Sequence, residues 1–283
     1  MTVRSYFLPR SAPEALALLG EHGPALLVMA GGTVAMPLIN EGLSLPEVVM
    51  GLRRAGLDGL KDDNGTLRIG ATATLTQLLD QRVVPMLSDA AQSTASWSIR
   101  NMATVGGNLF TPPPGGDVAV ALLALDASVT LAGATGERIL PLADFFTGFM
   151  TNQLADDELL VEIQVPIPVH PGAYLKFGRK HANTPAVVTV AVSVEWDEDK
   201  VADARIALGA VGPHPIRAHR AEQLLVGTSL GADAIAAAAA AAAEDCEPFT
   251  DAIATEWYRR RMVGLFVGRA LEQLAPGAAR ESR

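Results

Sequence analysis

The chain has 283 residues, 49% of them hydrophobic, and carries a formal net charge of −9. The hydrophobic fraction excludes wholesale disorder, and the negative charge argues against a nucleic-acid partner, because nucleic acids bind clustered cations. The single cysteine, Cys246, excludes an intramolecular disulfide framework and an all-cysteine metal or iron–sulfur site.

The N-terminal region begins with MTVRSYFLPR, which lacks the apolar stretch of a signal peptide. No later apolar run is long enough to span a bilayer, so we expect a cytoplasmic protein without a membrane span. Ser11 and Glu14 in SAPE have the spacing of a capping box, which predicts a short helix running to about Gly20 or Gly23. ALLVMA then predicts a buried strand, which GGT ends.

The second region begins near residue 52. Asn64 and Gly65 in DDNGTLRIGATATL predict a turn followed by a strand. TLTQLLDQ predicts a short helix that begins at Thr74 or Thr76. Further along, DVAVALLALDA has helical character, SVTLAG returns to a strand, and DDELLVEIQVP predicts a turn and a strand ending at Pro166.

The C-terminal region starts near residue 170 with three predicted strands, AYLKFGR, AVVTVAVSVEW and ADARIALGAV, with DEDK as the turn between the last two. The alanine-rich LGADAIAAAAAAAAEDCEP predicts a helix from propensity alone, and EWYRRRMVGLFVGRALEQL predicts a last amphipathic helix. Its Arg259, Arg260 and Arg261 either pair with a partner subunit or snorkel to solvent. His214 and His219 lack companion ligands in their stretch, so we predict no metal site.

Two paired-glycine segments follow apolar stretches: MAGGTVAMP, from Met29 to Pro37, and TVGGN, from Thr104 to Asn108. Paired glycines permit positive φ and remove Cβ, so that successive N–H groups can converge on an anion. The side chains of Thr33, Thr104 and Asn108 can add hydrogen bonds. Each segment alone also fits an ordinary tight turn, but together they favour a pyrophosphate site.

The nucleotide-binding fingerprints with regular glycine spacing are absent, since the chain contains neither G-x-G nor a Walker sequence. Asp117 stands at the start of the DVAVALLALD helix. There it can cap the helix and complement its dipole, or it can contact a ribose hydroxyl or order the loop around the phosphates. The sequence leaves these alternatives open.

Several of these motifs together resemble a known family. AGGTVAMPLI, IRNMATVGGNL with GGDVAVALLALDA, and DELLVEIQVP followed by YLKFGR resemble the FAD-binding medium subunit of molybdenum hydroxylases. That group includes the medium subunit of carbon monoxide dehydrogenase and the flavin domain of xanthine dehydrogenase. VGPHPIRAHRAEQLLVG and YRRRMVGLFVGRAL are similar to the family's C-terminal domain.

The resemblance implies an α+β fold, with a two-part FAD-binding module of the vanillyl-alcohol-oxidase (PCMH) type and a smaller C-terminal domain of antiparallel sheet plus helices. The implied domains are FAD-binding subdomains at 1–51 and 52–169 and the C-terminal domain at 170–283. One implied FAD loop consists of Ala30, Gly31, Gly32, Thr33 and Val34. The second consists of Thr104, Val105, Gly106, Gly107 and Asn108. Further FAD-contacting positions are matched by Asp117, Leu160 and Lys176.

Within TVGGN we expect Gly107 to be the least replaceable residue, because it would need either positive φ or a bare Cα against the pyrophosphate. The chain departs from the family pattern at three places. Val34 replaces a polar residue, Pro113 stands where a serine is expected, and Asn183 and Thr184 lie where relatives often carry an acidic residue.

The resemblance also implies a function and partners. FAD is bound without a covalent link, since neither loop contains Cys or His, and no residue of this chain is needed as an acid, base or nucleophile. Electrons pass from iron–sulfur clusters through FAD to NAD, a quinone or oxygen. The clusters belong to a small partner subunit and molybdopterin to a large one, in a dimer of heterotrimers. A self-contained flavin oxidoreductase and a non-catalytic nucleotide-binding module stay open as alternatives.

Overall fold

The computed structural model describes residues 3–113, 115–180 and 183–276. The first part of the chain forms a parallel sheet in the order β1-β3-β2. Its elements are β1 (Ser5–Phe7), α1 (Ala12–His22), β2 (Leu26–Met29), α2 (Ala35–Asn40) and β3 (Val48–Gly51). Ser11 caps α1 by accepting the N–H of Glu14 at 3.3 Å. The predicted helix and strand of this region are confirmed.

The second part is built on an antiparallel five-stranded sheet in the order β4-β5-β10-β6-β7. Its strands are β4 (Leu60–Asp63), β5 (Thr66–Gly70), β6 (Ser128–Gly133), β7 (Gly136–Pro141) and β10 (Leu159–Pro166), and a separate pair is formed by β8 (Phe146–Gly148) and β9 (Thr151–Asn152). Its helices are α3 (Leu75–Asp80), α4 (Pro85–Ser93), α5 (Trp97–Arg100), α6 (Val105–Leu109), α7 (Asp117–Ala124) and α8 (Leu142–Phe145).

The local signals of this part are confirmed. Asn64 (φ +53°) and Gly65 (φ +85°) form the hairpin turn between β4 and β5. Thr74 caps α3 in a capping box with Gln77. The predicted helix DVAVALLALDA is α7, and all eight of its residues are buried. This helix lies between α4 and the C-terminal sheet, so it forms the centre of the molecule.

The C-terminal part is a four-stranded antiparallel sheet in the order β11-β12-β13-β14, with two helices packed against it and a third packed on those two. Its elements are β11 (Ala173–Gly178), β12 (Ala186–Asp197), β13 (Lys200–Gly209), β14 (Ile216–Arg217), α9 (His219–Leu225), α10 (Ala232–Asp245) and α11 (Glu256–Leu274). The three predicted strands and the two predicted helices are confirmed, but the sheet has a fourth strand, β14, and a further helix, α9, that were not predicted.

Strand β12 is buried on both of its faces. Val188, Val190 and Val192 pack into the core beneath the C-terminal helices, whereas Ala191 belongs to the core around α7. This alternation follows from the two-residue period of a strand. The C-terminal sheet therefore completes the core of the preceding part of the chain.

Arg259 corrects the expectation of a partner salt bridge or a snorkelling side chain. It is fully buried, its guanidinium pairs with Asp251 at 2.8 Å, and it donates to the backbone carbonyls of Ala186, Val187 and Ala210. The buried guanidinium therefore links α11 to β12, to the residue that follows β13 and to the segment before α11. Arg260 donates to the Ala243 carbonyl at 2.8 Å.

The architecture confirms the predicted α+β class, with an antiparallel sheet and helices at the C-terminal end. None of the helices that the structure describes combines the length and the hydrophobicity that a membrane crossing needs.

Candidate cofactor-binding cleft

A cleft with a cavity volume of ≈ 720 Å³ opens where the first sheet, the second part of the chain and the edge of the C-terminal sheet meet. Proteins bind cofactors and other small ligands in cavities of about 300–1,000 Å³. Every predicted site residue except Val105 lines the cleft: Ala30, Gly31, Gly32, Thr33, Val34, Thr104, Gly106, Gly107, Asn108, Asp117, Leu160 and Lys176. Val105 is fully buried in the core around α7 instead, so the structure does not place its side chain at the cleft.

The segment 30–34 has free backbone donors. Gly32 has a φ of +73°, the left-handed conformation that paired glycines were predicted to allow. Gly31 lies against the backbone of Met102, where an added Cβ would come within 1.9 Å of the Met102 carbonyl oxygen. Among the hydrogen bonds between described residues, none is donated by a backbone N–H of 30–34. Free N–H groups around a left-handed residue form a concave anion site.

The segment 104–108 is a capped helical turn and not an open loop. Thr104 caps α6, and its Oγ1 accepts the N–H of Gly107 at 3.1 Å. The other N–H groups of the turn donate to backbone carbonyls: Val105 to Ala73, Gly106 to Ala71 and Asn108 to Thr104. The predicted positive φ and converging amides are therefore wrong for this segment, because its glycines are helical and each of these N–H groups already has an acceptor.

Close packing explains the glycine at position 106. An added Cβ there would lie 2.7 Å from the Ala71 carbonyl oxygen and 2.8 Å from Leu160 Cδ2. At Gly107 an added Cβ would meet only Thr104 Oγ1, at 2.8 Å. Backbone cannot move aside as a side chain can, so Gly106 and not Gly107 is the more constrained position. The expectation that Gly107 needs a bare Cα against the pyrophosphate concerns a bound ligand and stays a prediction.

Asn108, and not Asp117, satisfies the start of α7. The N-cap of this helix is Gly116, with a φ of +75°, and the Asp117 side chain makes no capping bond. The Asn108 side chain supplies the missing acceptor, since its Oδ1 accepts the N–H of Val118 at 3.1 Å. Capping by Asp117 is therefore wrong. Its carboxylate still lies in the first turn, where it complements the helix dipole.

Asp117 instead forms a buried ion pair. Lys176 Nζ lies 2.6 Å from Asp117 Oδ2, and both side chains are less than one-tenth exposed. Burial raises the pKa of Asp117, whereas the Lys176 ammonium and a hydrogen bond from Thr189 oppose that rise. The pair joins α7 to β11 of the C-terminal sheet at the wall of the cleft.

Glu158 is a second charged residue of the wall that sequence reasoning missed. Its carboxylate takes two hydrogen bonds of 2.7 Å from Arg138, and one of 2.9 Å from the Ala155 N–H. These bonds, the Arg138 pair above all, lower the pKa of Glu158. Arg138 lies on β7 and Glu158 in the turn that precedes β10, and twenty residues separate the partners. A pair between residues this far apart leaves no local signal in the sequence.

The turn at Thr94 and Ala95 also lines the cleft and was also missed. Ala95 has a φ of +51°, which alanine rarely adopts. An alanine in the sequence therefore gives no sign of a left-handed turn. The buried Arg100 holds the turn by donating to the carbonyls of Gln92, Thr94 and Ala95 at 3.0–3.2 Å. Among the departures from the family pattern, Val34, Asn183 and Thr184 line the cleft.

A mostly apolar cleft with a turn of free N–H groups in its wall suits a dinucleotide cofactor that is held without a Rossmann fingerprint. Comparison with known proteins agrees. The model of the FAD binding domain in molybdopterin dehydrogenase matches residues 2–168, and that of the CO dehydrogenase flavoprotein C-terminal domain matches residues 172–274. This chain belongs to the family of FAD-binding subunits of molybdopterin dehydrogenases.

Individual relatives match over nearly the whole chain. It is 33% identical to the caffeine dehydrogenase subunit beta of Pseudomonas sp. (strain CBB1), over 97% of this chain and 95% of the relative. It is also 33% identical to the carbon monoxide dehydrogenase medium chain of Hydrogenophaga pseudoflava, over 94% of this chain and 95% of the relative. Among solved structures, reconstituted CO dehydrogenase from Oligotropha carboxidovorans matches with a TM-score of 0.91 at 32% identity, over 95% of this chain and 96% of the other.

Proposed function

We propose that this chain holds FAD non-covalently in the cleft and relays electrons from iron–sulfur clusters on a partner subunit to an external acceptor. The observation that carries the proposal is the run of free N–H groups at 30–34 around the left-handed Gly32. These groups suit the FAD pyrophosphate, and the apolar walls suit its rings. Bound FAD supplies the exchange between single electrons and electron pairs.

The other predicted contacts keep their place in this proposal. Together with 30–34, the cleft is lined by Thr104, Gly106, Gly107, Asn108, Asp117, Leu160 and Lys176, which would contact FAD. We also keep the domain boundaries 1–51, 52–169 and 170–283 as a proposal, which the separate sheets of the three parts support.

The charged groups of the cleft support a relay over a self-contained oxidoreductase. Among the described residues that line it, three carry a charge: Asp117, Glu158 and Lys176. Asp117 and Lys176 pair with each other, and Glu158 pairs with Arg138. A general acid or base needs a group free to exchange a proton with the substrate. These three side chains are instead held in ion pairs.

The clusters and the molybdenum cofactor would belong to partner chains. Cys246 is buried, and burial raises the pKa of its thiol, so it is neither exposed nor thiolate-like. Within the described residues no group of three or more His, Cys, Asp and Glu could hold a metal ion. We propose a small iron–sulfur subunit and a large molybdopterin subunit, assembled as a dimer of heterotrimers, with NAD, a quinone or oxygen as acceptor. The relatives named as a medium chain and a subunit support this.

The test combines flavin release with capture of the complex. Acid precipitation of the purified chain should leave FAD in the supernatant, and affinity capture of the tagged chain from its host should recover a cluster-bearing and a molybdenum-bearing protein. Flavin that precipitates with the polypeptide would contradict non-covalent binding. Turnover of an organic substrate by the isolated chain would overturn the relay in favour of a self-contained oxidoreductase, and failure to bind FAD would leave a non-redox module.

A further inference from the structure

Five polar residues form a continuous hydrogen-bonded network between the C-terminal sheet and the rest of the chain. Lys176 and Tyr174 lie on β11 and Thr189 lies on β12, whereas Asp117 begins α7 and Ser93 ends α4. Ser93 Oγ donates to the Tyr174 hydroxyl at 3.3 Å, which donates to the Asp117 carbonyl at 3.4 Å. Two of the five, Asp117 and Lys176, line the cleft.

Thr189 fixes the orientation of the Asp117 carboxylate. Its hydroxyl donates to Oδ1 at 3.2 Å, while Oδ2 accepts the Lys176 ammonium at 2.6 Å. Each oxygen of the carboxylate thus has its own donor, and the two donors come from neighbouring strands of the C-terminal sheet. The Thr189 side chain is 1% exposed, so it cannot itself reach a ligand in the cleft.

The same arrangement sets the position of the Lys176 ammonium. It donates to Asp117 Oδ2 and, at 3.2 Å, to the Ser93 carbonyl. An ammonium has three N–H groups, and within the described residues these two acceptors account for two of them. The third is left for a group inside the cleft that Lys176 lines.

We propose that Thr189 is a positioning residue through which the C-terminal domain sets the affinity of the cleft for FAD. Its hydroxyl holds the carboxylate of Asp117 in the orientation that aims Lys176 at the cofactor, although it does not touch the cofactor. This inference rests on the placement of FAD in this cleft. The new element is that Thr189, which lies outside the cleft, controls how tightly the cleft binds FAD. The other face of its strand, β12, belongs to a different core.

The test measures FAD affinity and the melting temperature of the apoprotein in the full chain. Thr189→Val keeps the shape and removes only the hydroxyl, whereas Thr189→Ser keeps the hydroxyl. Ser193→Ala is the matched control. Ser193 is a buried residue of the same strand and face, four residues further on, and among the described residues it makes no hydrogen bond to Asp117 or Lys176. Affinity is read from quenching of FAD fluorescence on titration with apoprotein.

We expect Thr189→Val to raise the Kd for FAD about tenfold, a factor that corresponds to about 1.4 kcal/mol and lies near the value of one hydrogen bond to a charged group. Thr189→Ser and Ser193→Ala should stay within about twofold of the parent. A drop in apoprotein melting temperature with an unchanged Kd would show a purely structural hydroxyl and overturn the proposal. Equal loss of affinity in Ser193→Ala would overturn it as well.

A reference variant distinguishes failure of the Thr189 proposal from failure of the proposal that FAD binds in this cleft. Gly32→Ala alters the proposed pyrophosphate turn, which is a different part of the cleft lining. If Gly32→Ala weakens FAD binding and Thr189→Val does not, the Thr189 proposal is wrong and the cleft assignment stands. If neither variant changes the affinity, FAD does not occupy this cleft and both are wrong.

Discussion

The two paired-glycine segments of the cleft look alike in sequence but use glycine in different ways. In 30–34, Gly32 adopts a left-handed φ and the neighbouring N–H groups are free. In 104–108, the glycines are helical, the N–H groups of 105–108 are taken, and Gly106 lets the turn pack against Ala71 and Leu160. The first segment leaves backbone donors free for a ligand, and the second allows close approach of two backbones. A glycine pair alone therefore does not identify a phosphate loop.

The largest expected effect is that of Gly106→Ala. Its Cβ would overlap a backbone oxygen at 2.7 Å, and overpacking of this kind costs about 1–3 kcal/mol. The gain in helix propensity is about 1 kcal/mol, so we expect a net loss of up to about 2 kcal/mol in the free energy of unfolding. Thermal unfolding of the apoprotein measures it. Gly107→Ala is the control: it gains the same propensity and meets only the Thr104 hydroxyl, so a loss as large as that of Gly106→Ala would contradict the packing argument.

Gly32→Ala should act on the ligand more than on the fold. Alanine at positive φ costs about 1–2 kcal/mol, and relief of that strain displaces the free N–H groups. We expect the Kd for FAD to rise about tenfold or more, since 1.4 kcal/mol is one order of magnitude. Gly42→Ala is a close control, because Gly42 has the same φ of +73°, has open space around its Cα and lies outside the cleft lining. Weakened FAD binding in Gly42→Ala would mean that strain alone explains the result.

Thr104→Val should destabilise the second segment by about 1 kcal/mol, the usual cost of a lost helix cap. The hydroxyl that accepts the Gly107 N–H is removed while the shape is kept. Chemical denaturation of the apoprotein measures the loss, and Thr104→Ser should restore most of it. A Thr104→Val variant that binds FAD more tightly would indicate that the Gly107 N–H serves the ligand better than the cap, and the contrast between the two segments would weaken.

The smallest effect on stability is expected at the Glu158–Arg138 ion pair, which lies outside both glycine segments. The pKa of Glu158 is lowered by Arg138, so its pair stabilises the fold above about pH 4.5 and is lost as the pH falls through the lowered value. Glu158→Gln should therefore lower the melting temperature slightly at neutral pH, and the difference from the parent should shrink below pH 4.5. Glu137→Gln, at an exposed neighbour of Arg138, is the control. A difference that grows toward acid pH would have the wrong sign.

The sequence predicts those features of the fold, such as helix caps and tight turns, that depend on residues close together in the chain. Ser11 and Thr74 cap their helices as expected, and Asn64 with Gly65 turns the hairpin, because these signals lie within a few residues. The resemblance to a family supplied twelve residues of the cleft lining, and only Val105 among its predicted residues lies elsewhere. Asp117 and Gly106 were misread because their roles depend on groups far along the chain, such as Lys176 and Leu160.

The complete burial of α7 has a consequence for biosynthesis. One side of the helix is covered by β12 and β13, so tightly that Val120 reaches the bare Cα of Gly209. The ribosome finishes α7 at Ala124 but does not complete β13 until Gly209. At about 5–20 residues per second, the intervening stretch of about 85 residues takes roughly 4–17 s. During that interval the apolar helix lacks its cover, which makes the nascent chain a substrate for chaperones until its last strands emerge.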